Sequence, residues 1–502
     1  MVDLSARATE THDEAVPLSN ATLDTLPPGV GRPSYDRAAL TPGIVHFGVG
    51  NFHRAHQAVY LDRLMERGRA QDWAIIGVGT RPGDRAVVDA LAPQDWLTTV
   101  VEQTAEGSSA RVTGAMIGMI GPGETGRTID ALADPRIRIV SLTITEGGYY
   151  VDAATGDFDA VHPEIVADAS AAAPFTVFGL ILAGLTRRRA EGTPPFTVMS
   201  CDNLPHNGAV CRAATVGLAR LRDPELARWV EANVPFPNGM VDRITPATGE
   251  RERALVRSEH GVADAWPVFC EDFIQWVLED DFASGRPPLE EAGVEFVADV
   301  SAHEAMKLRI LNGGHAVIAY PAALLDIEYA HEAMAHPTVV GFLDRIEREE
   351  IIPRVGRVPG TDPSAYYEVV RRRFANPKIA DTIRRLCFDG SNRQPKFIVP
   401  TIRDAIADGG PNDLLALECA LWCRYCHGES ESGRTIEPND PDWARLSERA
   451  RAARENPSAW LAMKDVYGDV GEDARFVEAF GRALRSLWED GTASVLERAV
   501  AG

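Results

Sequence analysis

The sequence is poor in positive charge and in cysteine. Its 502 residues carry 51 Lys and Arg against 73 Asp and Glu, which gives a formal net charge of −22 at pH 7. This surplus of negative charge argues against general binding to nucleic acids and to anionic membranes. The seven cysteines are an odd number without the spacing of a disulfide framework. They predict reduced thiols in a cytoplasmic protein.

Long apolar runs and a secretion signal are also lacking. Residues 1–30 begin with MVDLSARATETHDEAVPLSN, which has neither the basic region nor the apolar core of a signal peptide. We expect a polar leader that is disordered or wrapped over the surface. The longest apolar run, FTVFGLILAGL at 175–185, is too short to span a bilayer and is followed by three arginines. It predicts a buried helix with a basic C-terminal end, as the helix dipole favours.

Apolar strands alternate with helical stretches in the first part of the chain. The strand-like runs lie at 43–50, 73–79, 137–145 and 196–202. This alternation indicates a parallel sheet with helical crossovers. From about residue 300, long helical patterns dominate, such as 364–374 and 413–427. The sequence therefore predicts an α/β protein with a Rossmann-type dinucleotide-binding domain at 31–297 and a mostly α-helical substrate domain at 298–502.

A glycine-rich turn, GVGNFHRAH at 48–56, follows the first strand and opens a helix. Gly48 and Gly50 match the first two glycines of a dinucleotide fingerprint, one for the tight turn and one for close approach to pyrophosphate. The third position holds His53, so the motif is a variant. A plain strand-to-helix turn is the alternative.

The sequence does not choose between NAD and NADP. The second strand ends in GVGTRPGDR at 77–85, with no acidic residue directly after it. Asp84 would favour NAD through the ribose hydroxyls, whereas Arg81 could hold a 2′-phosphate. A solvated turn would account for both residues equally well.

The segment MKLRILNGGHAV at 306–317 places an amine, an amide and an imidazole in an otherwise apolar helix. With Lys307 as origin and about 100° per residue, Glu304, His315 and Asn312 project at ~60°, ~80° and ~140°. The two glycines before His315 would let a flat group approach the backbone. An exposed Glu304–Lys307 ion pair and a core histidine are the alternative.

Two loops add short polar side chains. SCDNLPHNG at 200–208 contains Asn203, and FPNGMVDRITPAT at 236–248 contains Asp242. An Asx-turn and a helix cap are the structural alternatives for these residues. Oxidation of a polyol by nicotinamide needs such groups. A lysine can take the hydroxyl proton if burial or a nearby positive charge lowers its pKa, and amides can stabilise the developing alkoxide.

Six motifs together resemble the polyol-specific long-chain dehydrogenases, and they occur in order from about residue 34 to at least 430. They are IVHFGVGNFHRAHQAVYLDRL, TITEGGYY, SCDNLPHNG, FPNGMVDRITPAT, KLRILNGGHAVIAYPAALLDIEYAHEAM and RFANPKIADTIRRLCFDGSNRQPKF. The resemblance implies a metal-independent, NAD-dependent interconversion of D-mannitol and D-fructose, with NADP not excluded. It also implies a small-molecule enzyme that is monomeric or weakly homo-oligomeric.

The resemblance assigns roles to individual residues. It makes Lys307 the general base. It makes Asn203 and Asn312 the oxyanion hole, and His315 the residue that binds and orients substrate. Asp242 would contact substrate or assist the lysine. The remaining residues are Glu304 for proton transfer to solvent; Arg385, Arg393 and Lys396 toward the substrate; and Gly48, Gly50, Asn51 and Phe52 along the cofactor. Relatives often have Lys where this chain has Arg393, which weakens that assignment.

Other functions fit parts of the sequence. Fructuronate or tagaturonate reductases of the same family hold a carboxylate, for which the C-terminal basic residues would serve. Sorbitol and D-arabinitol are alternative substrates, and a non-catalytic nucleotide sensor could use the same fold. CALWCRYC at 419–426 imitates the iron–sulfur loop of enzymes that cleave S-adenosylmethionine. The surrounding apolar pattern favours an ordinary helix that ends at Gly428.

Overall fold

The chain forms two compact units, Met1–Ser301 (unit 1) and Ala302–Gly502 (unit 2). The computed structural model describes residues 15–152 and 155–502. The first part of the predicted leader, residues 1–14, lies outside the described residues. Residues 16–30 belong to unit 1, because they form a short strand and bury Leu18, Leu26 and Val30 in one of its hydrophobic clusters.

Unit 1 combines strands and helices. Its strands are β1 Val16–Pro17, β2 Pro42–Phe47, β3 Ala74–Val78, β4 Thr98–Gln103, β5 Ser108–Thr113, β6 Met116–Ile120, β7 Ile139–Leu142, β8 Thr197–Ser200, β9 Gly239–Asp242, β10 Val262–Ala263, β11 Val268–Glu271, β12 Gln275–Glu279 and β13 Glu295–Val297. Its helices are α1 Asn51–Ala55, α2 Gln57–Met65, α3 Asp84–Leu91, α4 Thr125–Ala133, α5 Pro163–Ser170, α6 Val177–Glu191, α7 Asn207–Arg222, α8 Pro224–Asn233 and α9 Glu250–His260. Short 3-10 helices lie at Leu23–Thr25, Arg37–Ala39, Ala92–Gln94, Glu146–Tyr149 and Leu289–Ala292.

The central sheet of unit 1 has five strands in the order β6-β3-β2-β7-β8, and every pair in it is parallel. Its strands are mostly buried on both faces, as a sheet covered by helices requires. The four predicted strands are β2, β3, β7 and β8, so the Rossmann-type α/β prediction is confirmed. Because the strands are parallel, the loops that follow β2, β3, β7 and β8 meet at one edge.

Smaller sheets complete unit 1. One has the order β11-β4-β5 and another β13-β12-β9, while β1 pairs with β10. Both three-stranded sheets mix parallel and antiparallel pairs. β4 pairs with β11, and β1 with β10, over a long distance in sequence, and the alternating pattern of the chain did not indicate these pairs.

Helix α6 is the buried helix predicted from the longest apolar run. The Thr176 side chain accepts a hydrogen bond from the Gly179 N–H and caps its start, and Gly192 at φ +71° ends it. Buried Arg188 donates to the carbonyls of Leu132, Asp134 and Pro194. It supplies the positive charge that was predicted at the C-terminal end of α6. Within residues 15–152 and 155–502, no helix has the length and apolar character that a membrane span requires.

Unit 2 is helical, as the sequence predicted. Its α-helices are α10 Ser301–Met306, α11 Gly313–Leu324, α12 Ala330–Ala335, α13 Pro337–Ile346, α14 Pro363–Phe374, α15 Ile383–Leu386, α16 Gly390–Phe397, α17 Val399–Asp408, α18 Asp413–Cys426, α19 Trp443–Ala453, α20 Ser458–Leu461, α21 Lys464–Tyr467, α22 Ala474–Asp490 and α23 Thr492–Ala501. Two π-helices lie at Lys307–Asn312 and Glu347–Ile351, and two 3-10 helices at Ile352–Arg354 and Val470–Glu472. The core forms where buried α18 packs against α11 and α22.

Candidate active site

The turn after β2 lies in the middle of the sheet edge. Gly48 adopts φ +90°, and a Cβ atom there would lie 2.0 Å from the Thr143 carbonyl oxygen. Only glycine fits this position. Around Gly50 the nearest heavy atom to such a Cβ is 3.9 Å away, so its backbone is open to a ligand. The turn therefore offers the tight bend and the accessible backbone that a dinucleotide diphosphate needs.

His53, at the third position of the glycine motif, is a packing residue. Its ring stacks on His46 with 3.4 Å between centroids, and both rings are buried. Burial lowers the pKa of His46 to about 3 and holds that of His53 well below its usual value, so both are neutral. His46 contacts the Ser141 hydroxyl at 2.8 Å and the Thr143 hydroxyl at 2.9 Å. This pair fills the space beneath the turn and ties β2 to β7.

Asn51 and Phe52 follow the turn. The Asn51 amide donates to the Pro246 carbonyl and the Thr248 hydroxyl, each at 3.0 Å, and its oxygen accepts from Arg54. Phe52 stacks on His56 with 4.8 Å between ring centroids. The Asn51 side chain therefore ties the turn to the loop after β9. The roles along the cofactor that the resemblance implies for these two residues stay predictions.

Asp84 closes the turn after β3. Its Oδ2 atom accepts from the backbone N–H groups of Thr80 at 2.8 Å and Arg81 at 2.9 Å. It is also the first residue of α3. The carboxylate is thus bonded to its own loop, and its predicted contact with the ribose stays a prediction.

The loop after β8 carries Asn203, which is exposed. Its neighbours fix the loop: the Asp202 carboxylate accepts from the N–H groups of Ile144 and Thr145 and from the Tyr149 hydroxyl. The Asn207 side chain bridges Asp202 and Gly239. Asp202 and Asn207 were not predicted as functional residues, although both lie in the motif SCDNLPHNG.

Asp242 is the last residue of β9 and is buried. Its strand pairs antiparallel with β12, where it faces Gln275. The adjacent Arg243 donates to the carbonyls of Ala55 and Glu271, which fixes the backbone at this point. The structure thus places a buried carboxylate at the end of a strand, whereas the sequence suggested a polar loop for this segment.

A π-helix carries Lys307 and Asn312, two of the four polar residues that the sequence singled out in this segment. In a π-helix each N–H bonds the carbonyl five residues earlier, and Gly313 N–H reaches the Leu308 oxygen in this way. A turn of more than four residues brings Asn312, five residues after Lys307, back toward the side of that lysine. The α-helical spacing assumed from the sequence placed them further apart. Glu304, Lys307, Asn312 and His315 are all less than 10% exposed.

His315 is held as a neutral, oriented imidazole. Its ring stacks on Phe374 with 4.2 Å between centroids and an interplanar angle of 21°. Burial holds its pKa well below the usual value, and the positive charges of Arg385, Arg393 and Arg373 lower it further. The structure therefore brings both predicted arginines close enough to act on His315. A neutral imidazole can exchange hydrogen bonds with a substrate hydroxyl.

The basic residues of unit 2 differ in their partners. Arg385 makes a two-pronged ion pair with Asp381. Arg393 donates to the carbonyls of Leu386 at 2.9 Å and Phe388 at 3.2 Å, and burial lowers its pKa. Lys396 is exposed. The Asp381 carboxylate already pairs with Arg385, which disfavours this arginine as a clamp for a substrate carboxylate.

A buried acid, Glu347, lies behind this cluster and was not predicted. Its side chain is fully buried, and within the described residues neither carboxyl oxygen has a hydrogen-bond partner. Burial, reinforced by nearby Asp344, holds its pKa well above the usual value, which favours the protonated form. A Cβ at Gly314 would lie 3.2 Å from Glu347 Oε1 and 3.3 Å from Phe374 Cε2. Gly314 therefore allows the acid and the ring to pack against α11.

Replacing Gly314 by alanine should disturb this packing. The added methyl must push Phe374, and a displaced ring misorients His315, so we expect kcat/KM to fall about tenfold with cofactor binding unchanged. Gly313→Ala is the matched control, because its Cβ would meet its nearest atom at an ordinary 3.6 Å. Both variants gain the same helix propensity. Equal activities of the two variants would contradict this role of Gly314.

The three cysteines of CALWCRYC lie on α18, as the helical interpretation predicted. All seven cysteines are free and buried. Burial raises the pKa of Cys419, Cys423 and Cys426, which favours thiols over the thiolates that an iron–sulfur cluster needs. Among the described residues, no group of three or more His, Cys, Asp or Glu side chains is arranged to hold a metal ion.

Comparison with known proteins places both units in one family. Residues 42–291 match the mannitol dehydrogenase Rossmann domain, and residues 299–488 match the mannitol dehydrogenase C-terminal domain. The chain belongs to the mannitol dehydrogenase family. It is 59% identical to mannitol 2-dehydrogenase of Cereibacter sphaeroides over 94% of this chain and 99% of the relative. It is 43% identical to mannitol 2-dehydrogenase of Aspergillus fumigatus over 93% of this chain and 95% of the relative.

Solved structures of family members are similar throughout. A ternary complex of Pseudomonas fluorescens mannitol 2-dehydrogenase with NAD and D-mannitol is 43% identical, with a TM-score of 0.84 over 97% of this chain and 100% of that chain. A substrate-free D-sorbitol dehydrogenase is 38% identical, with a TM-score of 0.90 over 95% of this chain and 100% of that chain. The family confirms that the chain is a polyol oxidoreductase.

Proposed function

We propose that this enzyme interconverts D-mannitol and D-fructose with NAD, without a metal ion, and uses Lys307 as general base. One observation carries the proposal: a buried amine and a buried amide lie on one π-helix, a buried imidazole follows in the first turn of α11, and the relatives in this family are named mannitol 2-dehydrogenases. The Gly48 turn, with its open backbone at Gly50, fits the diphosphate of the cofactor.

In the proposed oxidation, the polyol loses one hydride and one proton. When bound, NAD accepts the hydride from the carbinol carbon. The hydroxyl proton passes to Lys307 Nζ, which must be uncharged to take it, and Glu304 carries that proton toward solvent. The amides of Asn312 and Asn203 donate to the oxygen as it becomes an alkoxide and then a carbonyl.

The remaining residues select and orient the polyol. His315, neutral and fixed against Phe374, exchanges a hydrogen bond with a neighbouring hydroxyl. Asp242 contacts the substrate or assists Lys307, and the positive charges of Arg385 and Arg393 favour hydroxyl oxygens at their end of the substrate. Lys396 has the same role from the surface. The ion pair of Arg385 with Asp381 supports a neutral polyol over a keto-acid.

A second candidate is oxidation of D-sorbitol, favoured by the similarity to a D-sorbitol dehydrogenase structure. Mannitol and sorbitol differ in the configuration of one hydroxyl group, so the shape of the pocket decides between them. We prefer mannitol because both sequence relatives described above carry that name.

The test is the appearance of reduced nicotinamide absorbance with purified enzyme and a chelator. The substrates are D-mannitol, D-sorbitol, D-arabinitol and D-mannonate, each with NAD. We expect the highest kcat/KM with D-mannitol and no loss of activity in the chelator. Preference for sorbitol would select the second candidate, and turnover of mannonate alone would identify a uronate reductase. NADH binding without turnover would indicate a nucleotide sensor.

A further inference from the structure

Arg81 lies across the edge of the central sheet where the glycine turn is. It follows β3, and its Nη2 atom donates to the carbonyl of Ile144, which follows β7, at 3.2 Å. In the sheet order, β2 lies between β3 and β7. The side chain therefore connects the loop after β3 with the loop after β7, on either side of the carboxyl end of β2.

This position is the ligand crevice of an open α/β sheet. Such sheets bind ligands outside the carboxyl ends of the strands, where the strand order reverses. Here the chain goes from β2 to β3 and β6 on one side, then to β7 and β8 on the other. Arg81 thus places an exposed guanidinium at the point of reversal, on the side that receives the adenosine ribose.

An acidic residue at this place normally selects NAD, since it accepts from the ribose 2′-hydroxyl and repels a 2′-phosphate. The nearby acid, Asp84, bonds two N–H groups of its own turn through Oδ2, which offset part of its charge. Its Cβ lies against Gly79, at 2.7 Å from where a Cβ of that glycine would be. The acid is therefore packed into the loop.

The rest of the loop leaves room for a phosphate. Gly83, between Arg81 and Asp84, has no atom within 4 Å of where its Cβ would be. Arg85 lies over Gly121 beside Glu124 Oε1, so a local carboxylate offsets its charge. Arg81 bonds only a neutral carbonyl oxygen within the described residues, which a phosphate would replace with a stronger partner.

We infer that the carboxyl end of β3 forms a subsite for the 2′-phosphate of NADP, with Arg81 as its cation, so that the enzyme takes NADP as well as NAD. The inference rests on the proposed dinucleotide-dependent function. A guanidinium donates two hydrogen bonds to a phosphate, and the open space at Gly83 lets solvent hydrate the remaining oxygens.

The first experiment measures kcat/KM for NAD and NADP at saturating polyol in the wild type and in Arg81→Gln. We expect measurable turnover with NADP, and we expect Arg81→Gln to lower the NADP-to-NAD ratio of kcat/KM at least about tenfold. Arg220→Gln is the charge control, since that residue is near the far end of α7, ~20 Å along the helix from the sheet edge. It should leave the ratio unchanged.

A second variant tests the subsite without removing the arginine. Gly83→Glu adds a carboxylate in open space beside Arg81, and we expect it to lower the same ratio by a similar factor. No turnover with NADP in the wild type would overturn the inference. A ratio that is unchanged in both variants would also overturn it.

A binding experiment distinguishes failure of this inference from failure of the proposed function. Titration calorimetry with 2′,5′-ADP, in wild type and Arg81→Gln, needs no substrate. Binding that weakens at least about tenfold in the variant supports the subsite even if no polyol is oxidised. Absence of binding to the wild type overturns the subsite even if mannitol is oxidised with NAD.

Discussion

Replacement of Lys307 by alanine is expected to lower kcat for mannitol oxidation by about 10³-fold, the contribution of a positioned general base. The side chain is buried on the π-helix that also carries Asn312, and it is the group proposed to take the hydroxyl proton. NADH titration by fluorescence should give an unchanged affinity, because Lys307 acts on the substrate hydroxyl.

Two further variants make the result specific. Lys307→Arg keeps the positive charge, but a guanidinium does not lose its proton at accessible pH, so this variant should be as inactive as the alanine variant. Lys464→Ala removes an exposed lysine paired with Glu472 and should retain full activity. Oxidation by the wild type should rise with pH as the amine loses its proton. Near-normal turnover in Lys307→Arg would exclude the base role.

Glu418 is expected to make the stability of the enzyme depend on pH. It is a buried carboxyl on α18 that accepts a hydrogen bond from Gln394 Nε2 at 2.6 Å. Burial raises its pKa from 4.5 to about 7. The folded state therefore keeps a proton that the unfolded chain loses near pH 4.5. The contribution to stability is full below that pH and is lost as pH rises through 7.

The size of this effect follows from the two pKa values. A difference of about 2.5 units corresponds to roughly 3 kcal/mol of unfolding free energy lost between acid and alkaline pH. Glu418→Gln keeps an oxygen for Gln394 and has no proton to lose. We expect the variant to unfold at a higher temperature than the wild type above pH 8, and the difference to shrink toward pH 5.

Calorimetric scans across this pH range measure the midpoints directly. Glu448→Gln, on the exposed face of α19, is the matched control and should follow the wild type at every pH. A wild type and a Glu418→Gln variant with parallel pH profiles would show that Glu418 ionises at its ordinary pKa in the folded state.

The central sheet was predictable because the local sequence of each strand indicates a buried strand. Runs such as GIVHF and WAIIGV are apolar on both faces and are followed by glycine turns, which is typical of buried parallel strands. The pairing of β4 with β11 has no such signal, because it depends on two segments that the chain brings together only after folding. Local patterns cannot specify a partner so distant in sequence.

The polar residues of unit 2 were predictable as a set, although their geometry was not. The segment from Lys307 to His315 stands out because polar side chains are unusual in an otherwise apolar helix. The widened turn, however, contacts the second π-helix, and the helical period assumed from the sequence did not include such a turn. Glu347 was missed because a surface-like stretch of charges, EREE, gives no sign that two of them, Glu347 and Glu350, are buried.

The long-range pairs of unit 1 have a consequence for biosynthesis. Val100 on β4 pairs with Val268 on β11, and Val16 on β1 pairs with Val262 on β10. A nascent chain that has not yet reached these residues presents β4 with an unpaired edge of N–H and C=O groups, which other chains can join. The ribosome must therefore release nearly the whole of unit 1 before its smaller sheets can close. During that interval, chaperones and protein concentration govern the yield of native enzyme.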